Sequence, residues 1–286
     1  MVCRAGFALL IIALAGLPAL AAEPIALPFS KLPNFPAPEL NLEGLSPDAT
    51  ANVKRALSDA ANGNRTSKLA EAAIQTAEGA AARGQTAAQA KQPMDITFDG
   101  MVCQYRGETV TRRAEGFGVM TCGAATYAGA FRNDAPDGPI KAETAEMIFS
   151  GAYRAGKANG LGGDTAKHQG DAYQGAYKDG TRMGFGVERD KDGVYPGRFG
   201  FYADPKDKSH RINMALSGRQ DFPTAHWVGS FGAYLGPKIA CTIIKGAFLE
   251  GSVLDGYGAK FDAAGKLVEQ GLYTTGLLKG AKAPPC

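Results

Sequence analysis

The chain has 286 residues and a formal charge of +3, room for one or two domains and too close to balance for nucleic-acid binding to be the default. Glycine contributes 38 residues, 32 of them after residue 92, and 22 of the 25 aromatic residues also lie there. Glycine without a three-residue period excludes a collagen-like helix, and aromatics at this density exclude ordinary disorder.

Residues 1–22 read as a secretory signal. Arg4 supplies the positive start, Phe7 to Ala15 the apolar run, and Ala19-Leu20-Ala21-Ala22 the small-residue cleavage site. The run is short for a membrane span, which needs about 20 apolar residues. Cys3 precedes it, so it is not an acylated lipoprotein cysteine. The expected location is therefore periplasmic or secreted. Cleavage leaves Cys103, Cys122, Cys241 and Cys286, an even set that favours disulfides in an oxidising compartment. Three connectivities are open; Cys103–Cys122 across a hairpin with Cys241–Cys286 at the terminus is the preferred one.

Residues 23–45 form a proline-rich arm, with Pro24, Pro28, Pro33, Pro36 and Pro38 imposing an extended course. Residues 46–92 contain no aromatic residue and 15 alanines. Ser46 is a helix cap with Pro47 in the first turn, and Val53, Ala56, Leu57 and Ala60 share a face. Asn62-Gly63-Asn64 reads as a stop. A second helix is expected from about Ser67 with Leu69, Ala73, Ala77 and Ala80 on its stripe, giving a helical hairpin.

From residue 93 the pattern turns to strands and repeats. Phe149-Ser150-Gly151-Ala152-Tyr153 through Gly160-Leu161-Gly162 aligns without a gap on Tyr173-Gln174-Gly175-Ala176-Tyr177 through Gly184-Phe185-Gly186. Tyr127 to Phe131, Tyr195 to Phe199 and Ile244 to Phe248 repeat the opening; Gly116-Phe117-Gly118 and Gly256-Tyr257-Gly258 repeat the close. A weaker copy at Gly271-Leu272-Tyr273 ends the series. Periods of this length signal stacked units. In a strand, Tyr173, Gly175 and Tyr177 share a face, and the glycine leaves a notch for a neighbouring ring.

On these residues, over about 114–200 and 244–278, the chain resembles the MORN (membrane occupation and recognition nexus) repeat family. The resemblance implies β-hairpins stacked into an elongated antiparallel sheet, so the expected class is mostly β with an N-terminal helical hairpin and a repeat domain over 93–286. Asp134 stands where the first turn glycine belongs, and residues 200–243 hold no clean copy, either an insertion or a decayed pair.

No residue pattern points to catalysis. His168, His210 and His226 have no partner at zinc-helix spacing, and no nucleophile elbow or phosphate loop is present. Asp190-Lys191-Asp192-Gly193 lacks the remaining ligands of a calcium loop. Neither metal nor cofactor is expected. The expected function is non-catalytic binding or scaffolding: Tyr127, Phe131, Phe149, Tyr153, Tyr173, Tyr177, Tyr195 and Phe199 form one row that engages a protein or cell-envelope component. In the isolated chain the arm or the helical pair is expected to cover that row. Phospholipid-surface binding, implied by the resemblance, is the alternative, weakened by the lack of a Lys/Arg cluster. Self-association through sheet edges is a further route, and a polysaccharide-acting enzyme is the most distant reading.

Overall fold

The computed structural model describes residues 29, 32, 34–35, 37–168, 170–203, 211–234, 251–274 and 276–280. The signal segment, His210, Cys241, Cys286 and the Ile244 to Phe248 copy lie outside them.

The alanine-rich segment is a single helix, α1 (Pro47–Gln89), and not a hairpin. Ser46 caps it as expected, its Oγ accepting from the Ala49 amide at 3.4 Å. Helix continues through Asn62-Gly63-Asn64 because Gly63 is a packing residue. A Cβ there would lie 2.5 Å from the Gly186 carbonyl oxygen and 2.6 Å from the Gly197 nitrogen. Gly84 repeats the arrangement against Gly118 and Gly129, where a Cβ would come within 2.9 Å of the Gly129 nitrogen. The sheet-facing positions run Ala49, Val53, Ala56, Ala60, Gly63, Ser67, Ala70, Ile74, Ala77, Ala81, Gly84 and Ala88. Their steps alternate strictly between four and three residues. Leu69, expected on the buried stripe, is 59 % exposed, because the stripe keeps its phase across the supposed break.

Fifteen strands follow: β1 (Met94–Phe98), β2 (Met101–Val110), β3 (Arg113–Cys122), β4 (Ala125–Arg132), β5 (Ala135–Glu143), β6 (Met147–Arg154), β7 (Lys157–Ala166), β8 (Ala172–Lys178), β9 (Thr181–Arg189), β10 (Val194–Ala203), β11 (Arg211–Asp221), β12 (Ala225–Tyr234), β13 (Gly251–Asp262), β14 (Leu267–Thr274) and β15 (Leu277–Leu278). They form one open sheet in sequence order, antiparallel at every pairing. The described part of residues 200–243 lies in this same sheet, as the end of β10 with β11 and β12. Cys103 and Cys122 form a disulfide between β2 and β3 with a Cα–Cα distance of 4.5 Å, the spacing of a non-hydrogen-bonded antiparallel pair.

A row of glycines crosses the sheet. Gly107, Gly118 and Gly129 are paired in turn, Ile140 follows, and the row resumes at Gly151, Gly162, Gly175, Gly186, Gly197, Gly218, Gly229, Gly258 and Gly271. α1 lies over this row, touching every strand from β2 to β14. Side chains next to each glycine point toward the helix: Ser150 meets Glu78 at 2.6 Å and Gln174 meets Ser67 at 3.0 Å.

The tight turns repeat as well. Asp179-Gly180 has φ of 51° and 85°, and Asn133-Asp134 has 51° and 67°, the doubly left-handed turn that fits strand twist. Asp134 takes the glycine position because its carboxylate is anchored, accepting from the Ala114 amide at 2.7 Å and pairing with Arg113 at 3.0 Å. Each turn hooks onto the preceding hairpin: the Asp134, Gly156 and Gly180 amides donate to Ala114, Pro136 and Ala158 carbonyls at 3.2, 2.8 and 2.9 Å.

These contacts separate two kinds of helical glycine. Gly63→Ala and Gly84→Ala should each lower the melting temperature, the clash with sheet backbone outweighing a helix-propensity gain of about 1 kcal/mol. Gly79, with nothing within 4 Å of a new Cβ, should give a small rise when changed to Ala. Thermal denaturation of the three variants checks both signs.

Candidate binding face

On the face opposite α1, two residues from the glycines, a second row crosses the sheet. It reads Tyr105, Met120, Tyr127, Ala142, Phe149, Asp164, Tyr173, Glu188 and Tyr195, each paired with the next. Trp227, Lys260 and Glu269 continue it beyond β11. Rings occupy the even strands and lie over the glycines of the odd ones: a Cβ on Gly162 would lie 2.8 Å from Phe149 Cζ, and one on Gly118 or Gly186 would strike the ring of Tyr105 or Tyr173. Phe131, Tyr153, Tyr177 and Phe199 form a companion row on β4, β6, β8 and β10. A bulge separates the glycine from that second ring within β4/β5, β6/β7 and β8/β9, bending the strands there.

The two rows mesh edge-to-face. Ring centroids are 5.0 Å apart for Tyr105–Phe131, 4.9 Å for Phe149–Tyr177 and 4.8 Å for Tyr173–Phe199. Such pairs add roughly 0.5–1.5 kcal/mol each beyond burial. Of the eight rings read from the sequence, Phe131, Phe149, Tyr173, Tyr177 and Phe199 are buried in this ladder, while Tyr127, Tyr153 and Tyr195 are half-buried. Tyr105 is the first ring of the ladder, and the sequence reading passed over it. Tyr105-Arg106-Gly107 followed by Gly116-Phe117-Gly118 is the signal, weakened because Thr109 stands at the second ring position.

Neither α1 nor the arm covers the rings, contrary to the sequence expectation. Both lie on the other face. Arg189 stacks over Phe29 at 4.4 Å, the Arg219 Nη1 donates to the Pro38 carbonyl at 3.1 Å, and the Asn41 amide donates to the Gly265 carbonyl at 2.9 Å. Leu40, Leu42 and Leu45 then pack with Val53, Val228 and Phe261. Strand alternation puts Arg189, Arg219, Val228 and Phe261 on the helix side, so the arm extends the cover α1 already provides.

A charged network interrupts the ring row at its centre. Asp164, 5 % exposed, receives Arg182 in a two-pronged pair, with Nε to Oδ2 at 3.0 Å, and also the Tyr177 hydroxyl. The guanidinium pairs with Glu188, reaches Asp171 at 3.6 Å, and sits 5.1 Å over the Tyr173 ring. Burial pushes the Glu188 carboxyl above its usual range, with Arg182 opposing. Burial also raises the phenols of Tyr105, Tyr127, Tyr153, Tyr173, Tyr177, Tyr195 and Tyr273.

The histidines and the acidic loop resolve as structure. His168 is exposed in a turn. His226 is 2 % exposed on an interior strand, not an edge, with Nδ1 2.7 Å from Asp221 Oδ1. Asp190 closes a hairpin turn, accepting from the Asp192 and Gly193 amides at 2.7 Å and the Tyr195 hydroxyl at 3.0 Å. Among the described residues no cluster of His, Cys, Asp and Glu is arranged to hold a metal ion.

The family model for the MORN repeat matches residues 173–195, the span that contains Tyr173, Tyr177, Arg182 and Glu188. The chain thus carries a MORN repeat there, a unit that generally mediates protein or membrane binding. No match was found among curated proteins.

Two outcomes follow from the network. Asp164→Ala should destabilise by about 3–5 kcal/mol, because Arg182 is left buried without its partner. Glu188→Gln keeps a hydrogen-bond acceptor for Arg182 and removes a charge whose folded pKa lies above the unfolded one. A raised carboxyl pKa means the folded state holds the proton longer, so stability attributable to that group falls as pH rises. The variant should therefore match or exceed the parent at pH 7 and lose that advantage toward pH 4; urea titrations at both values read the difference. The seven raised phenols make the same kind of statement at alkaline pH. They should ionise, by absorbance at 295 nm, only as the protein unfolds above about pH 10.

Proposed function

We propose that the protein is an exported, non-catalytic binding or scaffolding protein that engages a protein or cell-envelope partner through the ring face of its sheet. The observation that carries this reading is the asymmetry of cover. α1 and the arm share one face, and no described helix or arm residue lies over the other. Tyr127, Tyr153 and Tyr195 present half-buried rings on it, the amphipathic side chains that interfaces favour. The secretory pattern of residues 1–22 and the Cys103–Cys122 disulfide fit an oxidising compartment.

Contact with an anionic membrane is the weaker reading. The charge of +3 is spread along the chain, and no described helix is long and apolar enough to cross a membrane. Self-association has one available edge in β1, whose Asp95 and Thr97 are exposed; edges of this kind accept a further strand.

Tyr127 and Tyr153 touch each other with centroids 6.2 Å apart and are the accessible members of the row, so they make a cleaner test than the buried Tyr177. The double variant Tyr127→Leu, Tyr153→Leu should capture at least about tenfold less partner from an envelope extract, equivalent to about 1.4 kcal/mol, with its melting temperature close to the parent's. Undiminished capture by the folded variant would reject the ring face as the binding surface. Co-sedimentation with anionic vesicles at physiological salt in place of protein capture would favour the membrane reading.

A further inference from the structure

The ring row changes character along the sheet. Between the rings of its first half stand Met120 and Ala142; in the second half the same positions hold Asp164, Glu188, Gln220, Lys260 and Glu269. Gln220 pairs with Trp227 on one side. On the other, the register fixed by Val194 opposite Asp221 and Gly197 opposite Gly218 sets it against Tyr195. It is 2 % exposed, and its side-chain oxygen has no hydrogen-bond partner. An unpaired buried acceptor costs about 1–3 kcal/mol.

The rings around it also leave the ladder. Tyr173 donates its hydroxyl to backbone carbonyls of Ala176 and Phe185 at 3.2 and 3.4 Å, but Tyr195 turns its hydroxyl to Asp190. Its ring meets Phe222 at 5.8 Å, and Phe222 meets Trp227 at 5.1 Å. All three rings are half-buried, and successive rings are separated by roughly the length of one pyranose unit. Nearby charges are internally matched. Lys260 pairs with Glu269 at 3.0 Å while lying 5.3 Å over Trp227 and 5.0 Å over Tyr273. Asp190 is already engaged by its own turn and by Tyr195.

We propose that Tyr195, Phe222 and Trp227 with Gln220 form a binding site for a neutral oligosaccharide, the rings stacking on pyranose C–H faces and a sugar hydroxyl donating to Gln220 Oε1. Aromatic faces beside an unsatisfied acceptor suit a ligand that is apolar on its ring faces and rich in hydroxyl donors. Matched surrounding charges disfavour an ionic ligand, since a cation would compete with Lys260 and an anion with Glu269. The site deepens the reading of the ring face as a binding face and assigns its ligand class at this end of the sheet.

Trp227 is the only tryptophan in the chain, so its emission reports on the site directly. Titration of the full chain with cellohexaose, chitohexaose and maltohexaose should give a saturable change with at least one, and none with the anionic hexamer of galacturonate. Gln220→Leu should bind that sugar at least about tenfold more weakly with an undiminished melting temperature, the unpaired acceptor having been removed. Should that variant not fold, Phe222→Ala, in an exposed turn, takes its place with the same expected loss. Silence with all three neutral sugars in both fluorescence and calorimetry overturns the proposal, as does binding of the galacturonate hexamer alone or full affinity in the folded variant. Loss of sugar binding with partner capture intact leaves the ring-face reading standing; loss of partner dependence on Tyr127 and Tyr153 rejects that reading separately.

Discussion

Backbone meets backbone where α1 crosses the sheet, and the rest of the structure is arranged around that approach. At Gly63 and Gly84 there is no room for even one carbon atom between the helix and the strands beneath. Such proximity requires small residues along the whole helical stripe and explains why a helix of 43 residues buries mainly alanine, glycine and serine. It also separates the work of the two sheet faces. The helix side is held by polar contacts from short side chains, among them Ser67 to Gln174 and Glu78 to both Ser150 and Lys141. Large apolar groups are sent to the other side, where glycine leaves each ring space to lie down.

Period matching makes the contact possible over so many strands. Seven helical residues rise about 10.5 Å, and two antiparallel strands advance about 9.6 Å. Each pair of helix steps therefore covers one pair of strands, and the alternation of four and three from Ala49 to Ala88 is the sequence image of the sheet below. The same repeat appears in the turns, where each second turn residue donates its amide to the hairpin before it. Units are thus coupled at the turn tips, through the rings, and through a shared helix. Neighbours alone supply the first two couplings; α1 supplies one that extends across the array.

The repeats were legible because turn glycines and paired rings have few substitutes at their positions. Cys103 opposite Cys122 was legible for a similar reason, with one hairpin between them. The helix was misread at Gly63 because a glycine that ends a helix and one that lets backbones touch look alike without the partner surface. Leu69 misled in the same way, its apolarity suggesting a stripe that the small residues define. Tyr105 escaped because its companion position holds Thr109. The Asp164–Arg182–Glu188 network and Gln220 were not legible at all: their meaning comes from register across strands, and residues 164 and 182 are brought together by a pairing that intervening turn lengths decide. The arm's course was equally hidden, since prolines dictate an extended path but not the face it follows.

The match between helix and sheet is close but incomplete, and the remainder accumulates like the offset of a vernier scale. From Gly84 over β3 and β4 to Gly63 over β9 and β10, 21 helical residues rise about 31.5 Å, while six strand intervals advance about 29 Å. A helix inclined by about 25° to the direction of strand stacking, or arched over it, absorbs the difference. Carried over six strand pairs at about 0.9 Å each, the offset reaches about one strand spacing. Beyond that length a straight heptad would bring its small residues over the wrong strands. The array therefore has a natural limit set by two incommensurate rulers, and lengthening it requires re-phasing the helix as well as adding hairpins.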